Sequence, residues 1–313
     1  MDDRSPAVLI PRGIGLGCWQ FGDMGRGTPA EDTSAALIQE AYRKGIRHFD
    51  TAHDYGAGHS EEVVGRAIEP FSEKAFVSTK MHAAGRAETI AGVEKSLARL
   101  KRQWIDLFYV HWPKTGFDIR PMIEGLELLR TQGKIRLIGV SNFSVNDMAQ
   151  ASEAGQIDAH QLCYNLLWRY PEREVIPWCI AHGVAVVTFS SIAQGLLSDT
   201  PRSPDTFEEG DARGQTLYYR PDVWPFARDA AAAMREVARK SSTSLSTLAI
   251  RWVLGRPGVV SSLVGARSAG QIQSNVTAGS GTNLPAVEEE LTRLSDEAMR
   301  HIPDEGNIFL FHP

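Results

Sequence analysis

Apolar and polar residues alternate along the chain in blocks that predict strands and helices in turn. Short runs rich in β-branched and aromatic residues favour strands, and longer segments with apolar residues three or four apart favour helices. Strands are predicted at residues 46–50, 75–79, 104–110, 135–140, 158–163, 184–189 and 258–264, after a first apolar run at 13–16. Helices are predicted at residues 30–44, 60–69, 86–101, 120–132, 144–154, 172–182, 222–240, 245–254 and 285–300, with another from about 268.

Residues at the segment ends sharpen this pattern. Gly45 and Gly133 follow helical segments, where a left-handed residue is common. Ser60 and Ser144 precede helical segments, and we expect both to cap the first turn. Residues 194–221 break the rhythm, because they are rich in Pro, Gly, Asp and Arg. They predict a long loop, and such loops in compact domains are usually functional.

Eight strands alternating with helices indicate a parallel sheet. The glycines of residues 13–17 follow Gly-x-Gly-x-Gly rather than Gly-x-Gly-x-x-Gly, and this weakens a Rossmann interpretation. We therefore predict an α/β fold, a single (βα)8 TIM barrel formed by residues 1–313. Residues 7–10 and 13–16 predict an N-terminal β-hairpin or the approach to the first barrel strand, and residues 285–300 predict an extra C-terminal helix.

Composition narrows the class of protein. The chain has 313 residues, of which 42% are hydrophobic, and a net charge of −5 from 33 basic and 38 acidic residues. This charge gives no reason to expect binding to nucleic acid or an anionic membrane. The three cysteines are widely spaced and predict free thiols in a reducing compartment. With neither a signal-peptide pattern nor an apolar run of about 18 residues, we expect a cytoplasmic protein.

Four chemically active side chains lie at or just beyond predicted strand ends. Asp50 ends the second strand, Lys80 follows the third, His111 follows the fourth, and Tyr55 lies on the second loop. In a (βα)8 barrel these ends form the active-site rim. Each residue alone has an ordinary structural explanation, such as a capping aspartate or a core histidine. Their joint placement predicts a catalytic site.

These four residue types suit proton transfer to a carbonyl oxygen. A phenol has a pKa of about 10, and we expect a neighbouring Lys80 ammonium to favour the phenolate and lower the pKa of Tyr55. A lowering by about 3 would correspond to roughly 4 kcal/mol of differential interaction. Asp50 would keep that ammonium charged. A neutral His111 would orient the substrate oxygen. The hydride must come from a cofactor, because side chains cannot supply one.

Several motifs, in order along roughly residues 15–275, make the sequence similar to the aldo-keto reductase superfamily. They are Phe49-Asp50-Thr51-Ala52-x-x-Tyr55-Gly56-x-Gly58-x-Ser60-Glu61, Ser78-Thr79-Lys80, Asp106-Leu107-x-x-x-His111-Trp112-Pro113, Gly133-Lys134-Ile135-Arg136-x-Ile138-Gly139-Val140-Ser141-Asn142-Phe143, Gln161-x-x-Tyr164-Asn165-Leu166, Gly195-Leu196-Leu197, and Gly265-Ala266-Arg267-x-x-x-Gln271-Ile272-x-x-Asn275. The pattern most resembles the bacterial members with a long seventh loop. The resemblance implies an NADPH-dependent (βα)8-barrel oxidoreductase that reduces aldehydes or ketones.

The resemblance also assigns roles to individual residues. It makes Asp50, Tyr55, Lys80 and His111 the catalytic tetrad, with Tyr55 as proton donor. The implied cofactor contacts are Ser141, Asn142 and Gln161 at the nicotinamide carboxamide, Phe189 stacked on the nicotinamide, Ser190, Gly195 and Leu196 at the pyrophosphate, Gly17, Cys18 and Trp19 near the nicotinamide, and Gly265, Arg267, Gln271 and Asn275 towards the adenosine. Trp19 and Trp112 would form walls of the carbonyl pocket, or pack in the core.

The coenzyme preference has a physical argument of its own. Arg267, Gln271 and Asn275 are four residues apart, on one face of a helix predicted from about Ser268. A guanidinium beside a helix N-terminus would attract a 2′-phosphate, although the same spacing also occurs on ordinary solvated faces. With the resemblance, NADPH is favoured over NADH. The departures from the family pattern are Lys114, Ser191, Gln194 and Ser274.

Other interpretations remain open at this stage. A metal-dependent barrel hydrolase would use His48, Asp50, His53 and Asp54, but it needs further ligands at other strand ends, and we expect no metal. A reductase-like barrel acting as a cofactor-binding regulatory subunit with little turnover is the alternative function. Further pocket candidates are Phe21, Met24, His82, Phe117 and Tyr218. We expect a small-molecule carbonyl substrate; the sequence favours neither a monomer nor a homo-oligomer.

Overall fold

The computed structural model describes residues 6–22, 30–209 and 211–309. Its eight strands form one closed parallel barrel in sequence order. The strands are β1 Gly13–Gly17, β2 His48–Asp50, β3 Phe76–Met81, β4 Ile105–Val110, β5 Ile135–Ser141, β6 Ala159–Cys163, β7 Ala185–Phe189 and β8 Val259–Val264. The helices are α1 Pro6–Leu9, α2 Glu31–Arg43, α3 His59–Ile68, α4 Arg86–Leu100, α5 Arg120–Thr131, α6 Val145–Ser152, α7 Val175–Ala181, α8 Trp224–Lys240, α9 Leu245–Leu254, α10 Ala269–Gly279 and α11 Pro285–Met299.

The predicted (βα)8 fold and the extra C-terminal helix are confirmed. β1 closes the barrel by pairing with β2 on one side and β8 on the other. Strand interiors are buried on both faces, so the strands read as nearly continuous apolar runs. That residues 1–313 form one domain stays a prediction. Among the described residues, no helix combines the length and apolar character needed to cross a bilayer.

The prediction of an N-terminal β-hairpin was wrong. Residues 6–9 form the short helix α1, and Gly13–Gly17 is the first barrel strand. Since both edges of β1 are already paired in parallel, no edge is left for a hairpin partner. Ile10 instead lies at 1% exposure in a cluster with barrel-interior residues of several strands. A short apolar run in a sequence does not show whether the segment forms a strand or a short helix.

The predicted helix ends are mostly confirmed. Gly45 and Gly133 adopt positive φ angles of 100° and 74° directly after helical segments. Ser144 accepts a hydrogen bond from the Asp147 amide, and the two form a reciprocal capping box. Ser60 is not a cap, because α3 begins at His59 with Gly58 as its N-cap residue. The Ser60 hydroxyl is buried and donates to the Cys18 carbonyl at 2.8 Å.

The predicted loop at 194–221 contains no α-helix in its described residues. It is folded into short 3₁₀ turns at Ala193–Gly195, Pro204–Thr206, Ala212–Gln215 and Leu217–Tyr219. Thr216 forms an isolated antiparallel bridge with Phe309, and the Leu217 amide donates to the Ile308 carbonyl at 2.8 Å. The loop is therefore joined to the C-terminal segment by backbone hydrogen bonds.

Candidate active site

The barrel brings the four predicted catalytic residues to one end. Asp50 is the last residue of β2 and is in register with Gly17 of β1 and Ser78 of β3. Lys80 is near the end of β3, and the amide of His111, one residue beyond β4, donates to the Met81 carbonyl. These are the carboxyl ends of parallel strands, where barrel enzymes carry their chemistry.

Lys80 and Asp50 form a buried ion pair. Their Nζ and Oδ1 atoms are 2.6 Å apart, and the two side chains are 1% and 5% exposed. The ammonium also donates to the Thr51 carbonyl at 2.9 Å. The other carboxylate oxygen accepts from Ser78 Oγ at 2.7 Å and from Gln161 Nε2 at 2.9 Å. Burial opposes the charge, but Asp50 and Tyr55 hold the pKa of Lys80 above its ordinary value.

Tyr55 lies beside this ion pair. Lys80 Nζ is 4.9 Å from the centroid of the Tyr55 ring, so the ammonium lies directly beside the phenol. Burial raises the pKa of Tyr55 to about 12, against the lowering effect of Lys80. The expected lowering of this pKa was therefore wrong, because loss of hydration outweighs the nearby positive charge. The side chain is a neutral phenol at neutral pH.

Two glycines fix the loop that carries Tyr55. Gly56 has a φ of 60°, and a Cβ at this position would lie 1.6 Å from the Gly22 carbonyl oxygen. A Cβ on Gly22 would in turn lie 2.7 Å from the Tyr55 carbonyl carbon. The two backbones cross more closely than any side chain allows. This crossing sets where the phenol enters the barrel mouth.

His111 is buried next to Tyr55, with ring centroids 5.8 Å apart in an edge-to-face arrangement. Burial lowers the pKa of His111 to about 4, so the imidazole is neutral, as predicted. Its Nδ1 lies 3.2 Å from Asp54 Oδ1 without hydrogen-bond alignment. Asp54 Oδ2 is 3.2 Å from His82 Nε2. Although burial opposes it, the two histidines hold the pKa of Asp54 well below its ordinary range.

The residues implied to hold the nicotinamide amide adjoin the tetrad. Gln161 Nε2 already donates to Asp50. Asn142, at a positive φ of 62°, donates from Nδ2 to the His111 carbonyl at 3.2 Å and to Ser141 Oγ at 3.0 Å. These hydrogen bonds join the two amide side chains to Asp50 and to the backbone of His111.

Aromatic rings cover one side of the mouth. The Phe189 and Phe309 rings are stacked with centroids 6.2 Å apart, and Trp112 meets Phe309 edge-to-face at 6.1 Å. Trp112 is 6% exposed, whereas Trp19 is 38% exposed. Phe309 was not anticipated, because nothing in the sequence connects the C-terminus with β7.

The segment after β7 has an unusual backbone. Ser190, Ala193 and Gln194 adopt φ angles of 57°, 47° and 56°, and Gly195 follows at 93°. Left-handed conformations of non-glycine residues are costly and concentrate at ligand-binding loops. The side chain of Gln194 donates to Ser190 Oγ at 2.5 Å, while Leu196 is fully buried.

The segment after β8 places the remaining predicted contacts at the start of α10. Ser268 caps this helix, and the exposed Arg267 precedes the cap. Gln271 Oε1 accepts from the Arg267 amide at 2.7 Å, and the partly buried Asn275 amide donates to the Gly265 carbonyl at 3.3 Å. On the neighbouring strand β1, Cys18 follows the last strand residue and is fully buried, and its amide donates to the Asp50 carbonyl at 2.8 Å.

Comparison with known proteins decides the family. Residues 13–296 match the model of the Aldo/keto reductase family. The chain belongs to this family. It is 34% identical over 277 residues to the Bacillus subtilis aldo-keto reductase YhdN, with 83% of each chain covered.

Solved structures of aldo-keto reductases superpose on the barrel. The glycerol dehydrogenase of Gluconobacter oxydans is 31% identical, with a TM-score of 0.82 and coverage of 93% of this chain and 92% of the other. A Klebsiella pneumoniae aldo-keto reductase in complex with NADPH is 26% identical, with a TM-score of 0.73 and coverage of 95% and 94%. The resemblance drawn from the motifs and the prediction of an NAD(P)H-dependent enzyme are both confirmed.

The remaining pocket candidates of this aldo-keto reductase differ in their burial and contacts. Tyr218 and Phe21 are almost fully buried, and the Tyr218 hydroxyl accepts from Asn165 Nδ2 at 2.9 Å, so it packs beneath the mouth. Phe117 lies under Lys114, whose Nζ is 5.6 Å from the ring centroid. Met24 lies outside the described residues.

The four residues considered from sequence as metal ligands of a hydrolase, His48, Asp50, His53 and Asp54, do not form a common site. His48 lies inside the barrel, where its ring nitrogens hydrogen-bond Ser78 at 2.8 Å and Ser261 at 3.1 Å. Within the part of the chain that the structure describes, ligand atoms from three such residues approach one another at Asp54, His82 and His111 instead. Sequence spacing did not show this, because the three residues lie on separate loops.

Proposed function

We propose that this aldo-keto reductase reduces aldehydes or ketones to alcohols with NADPH, with Tyr55 as the proton donor. The observation that carries the proposal is the buried Lys80–Asp50 ion pair, whose ammonium lies 4.9 Å from the centroid of the Tyr55 ring. A bound NADPH supplies a hydride to the carbonyl carbon, and the protein must then supply a proton to the oxygen.

Tyr55 suits this role because it is protonated before the reaction. A phenol whose pKa is raised to about 12 retains its proton at neutral pH. When that proton leaves, the phenolate forms next to the Lys80 ammonium, which stabilises it. Asp50 keeps the ammonium charged despite burial. The charges therefore favour the transfer at the moment it occurs, without leaving a free phenolate in the resting enzyme.

His111 would orient the carbonyl oxygen. It is neutral, buried and packed edge-on against Tyr55, so its ring can hydrogen-bond an oxygen held between the two side chains. The aromatic side of the mouth, formed by Trp112, Phe189 and Phe309, excludes water from the same region.

The described residues fit a dinucleotide lying along the carboxyl ends of the strands. Ser141, Asn142 and Gln161 present hydroxyl and amide groups next to the tetrad. Four residues of the segment 190–196 have the left-handed backbone typical of ligand-binding loops: Ser190, Ala193, Gln194 and Gly195. Gly17, Cys18 and Trp19 lie at the end of β1, and Gly265, Gln271 and Asn275 surround the end of β8.

The preference for NADPH over NADH rests on Arg267. Its side chain is exposed beside the capped N-terminus of the 11-residue helix α10. A guanidinium and a helix N-terminus both stabilise a phosphate. The structural relative crystallised with NADPH supports the same choice.

The test is Tyr55→Phe, assayed by NADPH consumption over a panel of aldehydes, ketones and sugars. We expect turnover to fall by about 10²–10⁴-fold, because the proton donor is lost. NADPH binding, followed by its fluorescence, should persist. Tyr42→Phe is the matched control, since Tyr42 stacks on Phe71 with centroids 3.7 Å apart and lies outside the tetrad. Substantial residual turnover in Tyr55→Phe would contradict the acid assignment. Absence of single-turnover NADPH oxidation by the unmodified protein would favour the regulatory-subunit alternative.

A further inference from the structure

Three metal-ligand side chains meet at the edge of the active site. His82 follows β3, His111 follows β4, and Asp54 lies on the loop after β2. Their ligand atoms all lie within 4.8 Å of one another. We call these three residues the Asp54–His82–His111 triad. No role in the proposed carbonyl reduction requires Asp54 or His82.

The spacing of the triad suits one small cation. Asp54 Oδ1 is 3.2 Å from His111 Nδ1, and Asp54 Oδ2 is 3.2 Å from His82 Nε2. Ligands bound at about 2.0–2.1 Å in a tetrahedral zinc site are roughly 3.3 Å apart. Two imidazoles and one carboxylate are donors that zinc and neighbouring divalent transition metals accept.

One atom of the triad is poorly satisfied by the protein. His111 is 8% exposed, and its Nδ1 has no hydrogen bond of acceptable geometry. A buried imidazole nitrogen without such a bond is uncommon. Nδ1 faces the Asp54 carboxylate, so a cation between them would satisfy both groups.

The surrounding charge does not prevent cation binding. Among the described residues, the Lys80 ammonium acts on His111, and it is paired with Asp50 at 2.6 Å. Asp54 adds a negative charge directly at the triad. His82 and Asp54 are both exposed, so an ion can enter from solvent.

We propose that the Asp54–His82–His111 triad binds one divalent transition-metal ion of the zinc class, and that this ion inhibits carbonyl reduction. Three protein ligands leave a fourth position for water. Because His111 is shared between the triad and the substrate site, a bound ion holds its imidazole away from the carbonyl oxygen. The ion is an inhibitor in this proposal, and no bond is made or broken on it.

Binding is tested directly and without turnover. Untagged, chelator-treated protein with NADPH present is titrated with Zn²⁺ by calorimetry and with Co²⁺ by visible absorption. We expect one ion per chain, and a loss of affinity of at least about tenfold in both His82→Gln and Asp54→Asn. His182→Gln is the control, because His182 is an exposed histidine just after α7 and its ring is hydrogen-bonded to the Trp178 carbonyl of that helix. Circular dichroism verifies that each variant is folded.

Two results of the binding experiment would overturn the proposal. No uptake of either ion overturns the proposal. Uptake that is unchanged in both His82→Gln and Asp54→Asn also overturns it, because the ion would then lie elsewhere, for example on a thiol. Since this arm measures binding alone, failure of the proposed reductase activity leaves its result intact.

The inhibitory part depends on the proposed function and is tested separately. The rate of NADPH consumption is measured against Zn²⁺ concentration, and each variant is compared with its own uninhibited rate. We expect chelator-reversible inhibition of the wild type with a midpoint matching the calorimetric Kd, shifted at least about tenfold in His82→Gln. Binding at the triad without loss of activity would refute this part.

Discussion

The buried Lys80–Asp50 pair makes a strong prediction about stability. Lys80→Met removes the ammonium and leaves a buried carboxylate. At 2.6 Å the Coulomb attraction is about 6 kcal/mol for an effective dielectric constant of about 20, and this is partly offset by the cost of burying the ammonium. Breaking such a pair typically costs about 3–5 kcal/mol. Ser78 and Gln161 still donate to Asp50, so we expect the low end of this range.

The double variant isolates the charge interaction. Asp50→Asn alone leaves a buried ammonium without its charged partner, although the Thr51 carbonyl still accepts from it, so this variant should also cost about 3 kcal/mol. Asp50→Asn/Lys80→Met removes both charges, and the new amide oxygen still accepts from Ser78. We therefore expect the double variant to be more stable than either single variant.

Urea unfolding, followed by circular dichroism and tryptophan fluorescence, supplies the four free energies of the cycle. The coupling energy should exceed about 2 kcal/mol, since the partners are in contact and water is excluded. Additive costs, with the double variant as unstable as the sum of the single variants, would refute the reasoning. All three variants should lose carbonyl reduction. Lys80→Met and the double variant remove the ammonium that stabilises the Tyr55 phenolate, and Asp50→Asn removes the carboxylate that keeps this ammonium charged.

Three further predictions concern other regions. Arg267→Ala should weaken NADPH by about tenfold or more and leave NADH nearly unchanged, because only NADPH carries the 2′-phosphate. Burial lowers the pKa of His160 in the folded protein from 6.5 to about 3. Below pH 6.5 the unfolded chain therefore binds a proton that the folded protein does not, and the free energy of unfolding falls by roughly 2 kcal/mol at pH 5. Gly65→Ala should cost about 1–3 kcal/mol, since its Cβ would lie 2.7 Å from backbone atoms of Arg99 and Leu100.

Each of these has a matched measurement. Coenzyme affinities by fluorescence titration test Arg267→Ala, and equal losses for both coenzymes would argue against a phosphate contact. In His160→Gln the new side chain can still accept from the Phe143 amide, and the free energy of unfolding should fall less between pH 6.5 and pH 5. An unchanged fall would show that His160 does not cause this loss of stability. Gly92→Ala is the control for Gly65→Ala, because its Cβ would meet only the flexible end of Met81. Equal costs for both glycine variants would contradict the packing argument.

The barrel was predictable because buried parallel strands and amphipathic helices have different periods. Residues 104–110 and 86–101, for example, were placed within a residue or so of their observed ends. The position of Asp50, Lys80 and His111 at strand ends followed from the same pattern, since each stands where an apolar run stops. The Ser144 cap was also visible, because a capping box is a local signal within four residues.

Features that depend on three-dimensional packing were not predictable. Ser60 has the residue type of a cap, but burial against the Cys18 carbonyl gave it another role. The direction of the Tyr55 pKa shift depends on how completely the barrel excludes water, which the spacing of Tyr55 and Lys80 does not express. Asp54 and His82 are 28 residues apart, and only the closure of the barrel brings their loops together.

The bridge between Thr216 and Phe309 has a consequence for engineering this enzyme. It fastens two segments that lie 93 residues apart in the chain, and the ring of Phe309 stacks on Phe189 at the mouth. Mutant libraries that randomise the seventh loop alone will therefore also disturb the segment around Phe309. Changes of specificity should be sought by varying both segments together.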